Sequence, residues 1–229
     1  MTAPRAEAGR PRAVVSWSTG KDCAWALAAV RAEGALDVVG LLTTVTETFG
    51  RVSMHGVRES VLDLQAAAAG LPVLKVPIPF PCPNAVYEAA MGRAVAALRA
   101  DGVSHVVFGD LFLEDVRAYR EERLRGTGLS PVFPLWGRPT RALAEEMIAG
   151  GLRATLVAVD PRKLDRSFAG RPFDAALLRD LPADVDPCGE RGEFHSCATA
   201  GPMFSAPIRV APGPVVDRDG FAFADLVPA

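Results

Sequence analysis

The sequence predicts an α/β fold: a parallel sheet covered by helices, followed by a second, smaller α/β domain. Three observations carry this. Short apolar runs alternate with stretches of helical spacing, as in βαβ units with right-handed crossovers. Residues 13–27 read as a strand, a tight turn of small residues and a helix in immediate succession. The runs end in Ser, Thr, Gly and Asp, at the strand ends where parallel sheets hold their ligands.

In chain order, Ala13 to Trp17 is a β-like run feeding the turn Ser18-Thr19-Gly20-Lys21-Asp22-Cys23, and an Ala-rich helix follows. Val38 to Val45 is an apolar run of the kind buried in parallel sheets. Gly56 to Ala69 has helical spacing through Val57, Val61, Leu62 and Leu64, and Gly70-Leu71-Pro72 stops it. Val73 to Val76 is a short strand before a Pro-rich turn. Asn84 opens a helix running to Ala100. Ser104 to Phe108 is a strand ending in Gly109-Asp110, and a helix spans Val116 to Arg125. Pro131 to Leu135 is strand-like and is expected to open the second domain. Thr140 to Ile148 is a helix, Ala154 to Val159 a strand and Asp174 to Leu178 a helical turn. Cys188 to Ser196 is a polar loop, and the last residues alternate weakly, as edge strands do. The expected division is a disordered tail at 1–12, a first domain at 13–128 and a second at 129–229.

The chain has 229 residues, 49% of them hydrophobic, and a formal net charge of −2. That length suits one large α/β domain or two small ones. No basic run is present, so nucleic acid is not expected as a partner, since phosphate backbones demand clustered Lys and Arg. No apolar stretch reaches the roughly eighteen residues of a membrane span, so no membrane partner is expected. The N-terminal residues lack the apolar segment of a secretory signal, which points to the cytoplasm. Cys23, Cys82, Cys188 and Cys197 show no C-x-x-C spacing and His55, His105 and His195 are dispersed, so no structural zinc is expected. Reduced thiols fit that compartment. The excess of Ala, Arg, Gly and Pro suits a high-GC bacterial genome.

The Ser18–Cys23 turn has the geometry that binds phosphate. A helix N-terminus leaves backbone N–H groups without partners, and its dipole favours an anion. Gly20 allows close approach, Lys21 adds a mobile positive charge, and Asp22 can cap the helix or face Mg²⁺. The turn is too short for a Walker-type loop. Strand-to-helix turns of this composition are also common without any nucleotide. Convergence with Thr43-Thr44 and Gly109-Asp110 at neighbouring strand ends favours the nucleotide reading.

The turn resembles the pyrophosphate loop (PP-loop) of the N-type ATP pyrophosphatases, or adenine nucleotide alpha hydrolases, usually Ser-Gly-Gly-x-Asp-Ser. Further blocks follow in order: Met54-His55, Gly109-Asp110 with Arg117 and Glu121, Pro134-Leu135-Trp136-Gly137, and Cys188-Gly-Glu-Arg-Gly-Glu-Phe. Together they are similar to the diphthine–ammonia ligase family, whose most specific mark is Cys-Gly-Glu-x-Gly-Glu-[Phe/Tyr]. The resemblance implies a Rossmann-like nucleotide-binding (HUP-type) domain, a smaller family-specific domain, and ATP use with AMP and pyrophosphate as products.

Making an amide from a carboxylate requires a good leaving group, and adenylation supplies one. Catalysis is then largely positioning and charge neutralisation. The resemblance implies catalytic Lys21, Glu190 and Glu193, the glutamates binding or deprotonating ammonium or orienting the carboxylate through Arg191. It implies nucleotide contacts from Ser18, Thr19, Gly20, Lys21, Asp22, Cys23, Leu42, Thr43, Thr44, His55, Gly109 and Asp110. Mg²⁺ is expected on Asp22 or Asp110. Arg117, Glu121, Trp136 and Arg191 are expected at the substrate. On spacing alone, Arg117 and Glu121 read as a surface ion pair, Trp136 as core, His195 as a surface or subdomain contact, and the two glutamates as a solvated turn.

Two departures stand out. Cys23 replaces the usual Ser; a thiol donates more weakly, and a helix N-terminus beside a lysine is expected to lower its pKa. Ala200 stands where the family often has Asp before Gly-Pro-x-Phe. The expected partners are a small-molecule or modified-residue carboxylate and ammonia or an amine, with a homodimer one open assembly. In a bacterial source, diphthine is not the expected acceptor. A degraded nucleotide sensor and a sulfur-transfer enzyme using Cys82 or Cys188 are the rival readings.

Overall fold

The computed structural model describes residues 9–229. The expected tail lies outside the described residues as far as 8. Pro11 and Arg12 are not tail: Pro11 O accepts from Asp37 N at 2.9 Å, and Arg12 opens the first strand.

The first sheet contains β1 (Arg12–Ser16), β2 (Asp37–Thr46), β3 (Arg51–Val52), β4 (Val73–Ile78), β5 (His105–Val107) and β6 (Ser130–Val132). Parallel β1 lies between β2 and β5; β4 flanks β2, β6 flanks β5, and β3 folds back antiparallel on the end of β2. Alternation along β1 sets the two faces. Ala13, Val15 and Trp17 enter one core with α1 (Lys21–Glu33) and α2 (Glu59–Ala69). Val14 enters a second core with Ala90, Ala94 and Leu98 of α3 (Asn84–Ala100) and Leu124 of α4 (Glu114–Leu124). Because β1 is paired with β2 on one side and β5 on the other, the strand order reverses beside it, at the position where such sheets bind ligands.

Strand β6 was expected to open the second domain, but its backbone pairs with β5 (Val107 opposite Val132) and Phe133 stacks on Phe108 with centroids 5.5 Å apart. A short apolar run does not reveal in sequence which sheet it joins.

After α5 (Thr140–Ala149), the second sheet forms from β7 (Arg153–Val159), β8 (Phe194–Ala200), β9 (Val210–Arg218) and β10 (Phe221–Pro228), with α6 (Ala175–Asp180) between β7 and β8. It is antiparallel in the order β8-β7-β10-β9. Two expectations are corrected here. The polar loop ends before Phe194, where β8 begins. Of the last two strands, β9 lies at the sheet edge, whereas β10 is internal, paired with β7 on one side and β9 on the other.

One core runs through both sheets, joining Val15, Leu27 and Leu62 to Leu156, Leu177 and Phe194. Polar bonds lock them further. Ala198 N donates to Thr19 O at 2.9 Å, and Asp225 accepts from Arg51 and Arg58 at 2.9 and 2.6 Å. No helix among the described residues is long and apolar enough to cross a membrane.

Candidate active site

The turn after β1 is held in an unusual shape. Thr19 has φ 72°, the left-handed conformation in which the related motif carries Gly. Its hydroxyl is buried without a hydrogen-bond partner among the described residues. Gly20 caps α1 in an extended conformation, and a Cβ there would stand 2.8 Å from His55 Cε1. Gln65, fully buried on α2, holds the turn from below. It accepts from Trp17 Nε1 at 2.8 Å and donates to Thr19 O at 3.0 Å and Ala198 O at 2.7 Å.

At the mouth of this turn lies a cavity of about 600 Å³, within the range of small-molecule sites (about 300–1,000 Å³). Its wall includes Ser18, Lys21, Asp22, Cys23, Leu42, Thr43, Thr44, His55, Gly109, Asp110 and Glu190. The strand ends and the Cys188–Glu190 segment thus meet at this cavity. The cavity continues between α3 and α4 past Tyr87, Met91, Tyr119, Arg120 and Arg123, none of which the sequence reading singled out.

Thr43, 4% exposed, carries a buried Oγ1 without a partner, and so does the Oδ1 end of Asp22. Asp22 Oδ2 is held by Lys21 Nζ at 2.8 Å; burial pushes the Asp22 carboxyl up, and Lys21 opposes that push. Asp110, also expected at Mg²⁺, carries a counter-charge: its oxygens accept from Arg120 at 2.7 and 3.3 Å at the cavity wall. Among the described residues, no group of three or more His, Cys, Asp or Glu is placed to hold a metal.

The expected activation of Cys23 is also corrected. Burial pushes its thiol up to about 11, outweighing the hydrogen bonds from the Ser18 side. Sγ is bonded to Gly20 O at 3.1 Å instead of standing open beside a cation.

Glu190 and Glu193 separate into different roles. Glu190 lines the cavity, and its Oε1 accepts from Leu111 N at 2.7 Å. Burial raises its pKa to about 7, against the Leu111 hydrogen bond. Glu193 is 3% exposed and lies outside the cavity wall; its Oε1 accepts from Asp186 N at 3.0 Å. Asp186 then shapes the loop: Oδ2 accepts from Cys188 N at 3.1 Å and Glu190 N at 3.0 Å, and Oδ1 from Thr140 Oγ1 at 2.6 Å. Glu193 therefore supports the loop that presents Glu190. Asp186 and Gln65 went unnoticed in sequence because a single polar residue gives no periodic signal.

His195, read as a surface or subdomain contact, is a contact between the two parts: its ring lies 4.7 Å from that of His55, tilted by 33°, and it also lines the cavity. His55 Nδ1 lies 3.0 Å from Ser196 O. Burial lowers both imidazoles, His55 well below its ordinary value and His195 to about 4.

The expected substrate residues fall elsewhere. Arg117 and Glu121 pair at 2.7 Å on the outer face of α4, with Arg117 over the Phe133 and Trp136 rings. Arg191 is exposed over Phe112. None of these, nor Trp136, lines the cavity. Ala200 pairs with Arg153 at the far end of β8, also outside the wall, so the Asp-to-Ala departure removes no group from this cavity. Of the cysteines named for sulfur chemistry, Cys188 lines the cavity but is buried, its thiol pushed up by desolvation and donating to Thr140 O at 3.4 Å. Cys82 does not line the cavity.

Residues 139–219 match the family model described as the diphthamide synthase C-terminal domain. The Diphthine--ammonia ligase of Bos taurus is 31% identical over 120 residues, covering 50% of this chain and 45% of that protein. The Diphthine--ammonia ligase of Schizosaccharomyces pombe (strain 972) is 28% identical over 95 residues, covering 40% of this chain and 16% of that protein. The chain's matches thus span less than half the length of these curated relatives.

Proposed function

We propose that this chain, a member of the diphthine–ammonia ligase family, is an ATP-dependent ligase that adenylates a carboxylate and passes it to ammonia or an amine. The observation that carries the reading is the placement of the α1 N-terminus, with Asp22 Oδ1 buried and unpartnered, at the mouth of a 600 Å³ cavity that also receives Glu190. Backbone N–H groups at that helix end suit an anionic oxygen, as the dipole does.

The residues divide the work. The backbone N–H groups of the turn hold the polyphosphate, and His55, its Nδ1 on the Ser196 carbonyl, packs beside them. Thr43 and Thr44 face the nucleoside. The acceptor carboxylate attacks the α-phosphorus, the bond to pyrophosphate breaks, and the mixed anhydride forms. The amine then attacks the acyl carbon and AMP leaves. Glu190, near neutrality at about 7, takes the proton from the attacking amine. Asp22 Oδ1 fits one ligand of Mg²⁺, which prefers one or two carboxylates plus phosphate oxygens. Bound there, Mg²⁺ would neutralise charge on the departing pyrophosphate.

A sensor without turnover is the second reading, favoured by the strained Thr19 in the phosphate turn. ATP–pyrophosphate exchange separates the two. Labelled pyrophosphate should enter ATP when a fraction of cell metabolites supplies the carboxylate. Tight ATP binding with no exchange under any fraction would favour the sensor.

A further inference from the structure

Lys21 belongs to the cavity wall, but its ammonium is buried and its donors are turned to protein partners. Its side chain is 2% exposed. Nζ donates to Asp22 Oδ2 at 2.8 Å and to the Cys188 carbonyl. It also stands 5.5 Å from the Phe173 ring centroid and 5.4 Å from that of Phe194. An ammonium has three donors; two meet oxygens, and the aromatic faces stabilise the charge. Burial alone would pull the pKa of Lys21 down, but Asp22 and its neighbours outweigh it and the net shift is upward, so the group stays charged.

The backbone of the same residue is equally fixed, since Lys21 N donates to Ser196 Oγ of β8 at 3.1 Å. A lysine that moved into the cavity would leave Asp22 without its partner and abandon the Cys188 carbonyl. Uncompensated buried charge is strongly unfavourable.

We infer that Lys21 is a positioning residue: it aims Asp22 and docks the Cys188–Glu190 segment on the phosphate turn, leaving the polyphosphate to the α1 N-terminus. The linkage is continuous. Lys21 holds Cys188 O, Asp186 holds the Cys188 and Glu190 N–H groups, and Glu190 in turn accepts from Leu111 N. Displacing the ammonium therefore misplaces Glu190 without removing a phosphate contact. The inference rests on the reading of this turn as the polyphosphate site.

The chain's other lysines, Lys75 and Lys163, serve as internal controls for an acylation footprint of the wild-type protein, read by mass spectrometry with and without ATP and Mg²⁺. Lys21 should react at least about tenfold more slowly than exposed Lys163 in both states. In parallel, Lys21→Met should keep the ratio of ATP to adenosine affinity within about twofold while turnover falls. Lys21 reacting as fast as Lys163 in the free protein and becoming protected by ATP would overturn the inference. So would a Lys21→Met protein that loses more than about tenfold in ATP affinity while holding adenosine normally. If that variant does not fold, the wild-type footprint still decides. If wild type binds no ATP, the nucleotide reading fails, while slow acylation in the free protein still supports the buried tether.

Discussion

Gly109 sits so close to Asp22 that a Cβ on it would stand 2.7 Å from the Asp22 carbonyl carbon and from Cys23 N. The turns after β1 and β5 are therefore interlocked through backbone, which cannot move aside as a flexible side chain would. Gly109→Ala should push the phosphate turn off β5. We expect a loss of about 1–3 kcal/mol in stability, the usual range for overpacking, and at least a tenfold loss of ATP affinity by calorimetry. Unchanged affinity would mean that the turn is not the nucleotide contact.

Glu190→Gln keeps the hydrogen bond from Leu111 N, because an amide oxygen still accepts, but removes the base. The folded protein should therefore be little changed in melting temperature, and the amide-forming step should slow by about 10²–10⁴-fold. In wild type the active form is the deprotonated carboxylate. Its activity should rise with pH through about 7 and then level. A profile flat over roughly two pH units either side of that midpoint would remove Glu190 from this role.

Thr19 combines a left-handed backbone with a buried hydroxyl that bonds to nothing among the described residues. Left-handed conformation costs a non-glycine residue about 1–2 kcal/mol, and an unsatisfied buried group about 1–3 kcal/mol. Glycine loses about 0.5–1 kcal/mol of this gain to chain entropy. Thr19→Gly should raise stability by about 1 kcal/mol in urea unfolding; a clear loss would show that the threonine methyl packs more usefully than its strain costs.

The neighbouring pair His55 and His195 makes stability depend on pH. Both are depressed by burial, His195 to about 4. A histidine depressed in the folded state binds protons more readily unfolded, so stability is full above about 6.5 and falls as the solution is acidified toward 4. For His195 alone, the span amounts to on the order of 3 kcal/mol. His195→Gln should flatten that slope in thermal melts from neutral pH downward, and an equally steep slope in the variant would assign the effect to other groups.

The sequence and the structure agree most where a signal is local. The alternation of apolar runs placed the parallel sheet, and the small residues Ser18 to Gly20 mark the turn, although Lys21 to Cys23, read as part of it, already form the first turn of α1. The residues that join distant segments were not legible. Gln65 reaches Thr19 and Ala198, and Asp186 reaches Thr140, across separations with no periodic signature. Helix α4 shows what spacing and resemblance each carry. The i,i+4 spacing of Arg117 and Glu121 gave the surface ion pair that is seen, whereas the resemblance put them at the substrate; the helix turns Arg120 and Arg123 toward the cavity instead. Lys21 was read as mobile because its aromatic neighbours, Phe173 and Phe194, come from the far half of the chain.

The most direct test of the account is which bond of ATP is broken. Purified protein would be incubated with ATP, Mg²⁺, ammonium and a pool of cell metabolites, and the products followed by phosphorus NMR. The account predicts AMP and pyrophosphate in equal amounts, dependent on one metabolite fraction, with AMP formation slowed in Gly109→Ala. Formation of ADP and phosphate instead would contradict attack at the α-phosphorus and with it the proposed ligase.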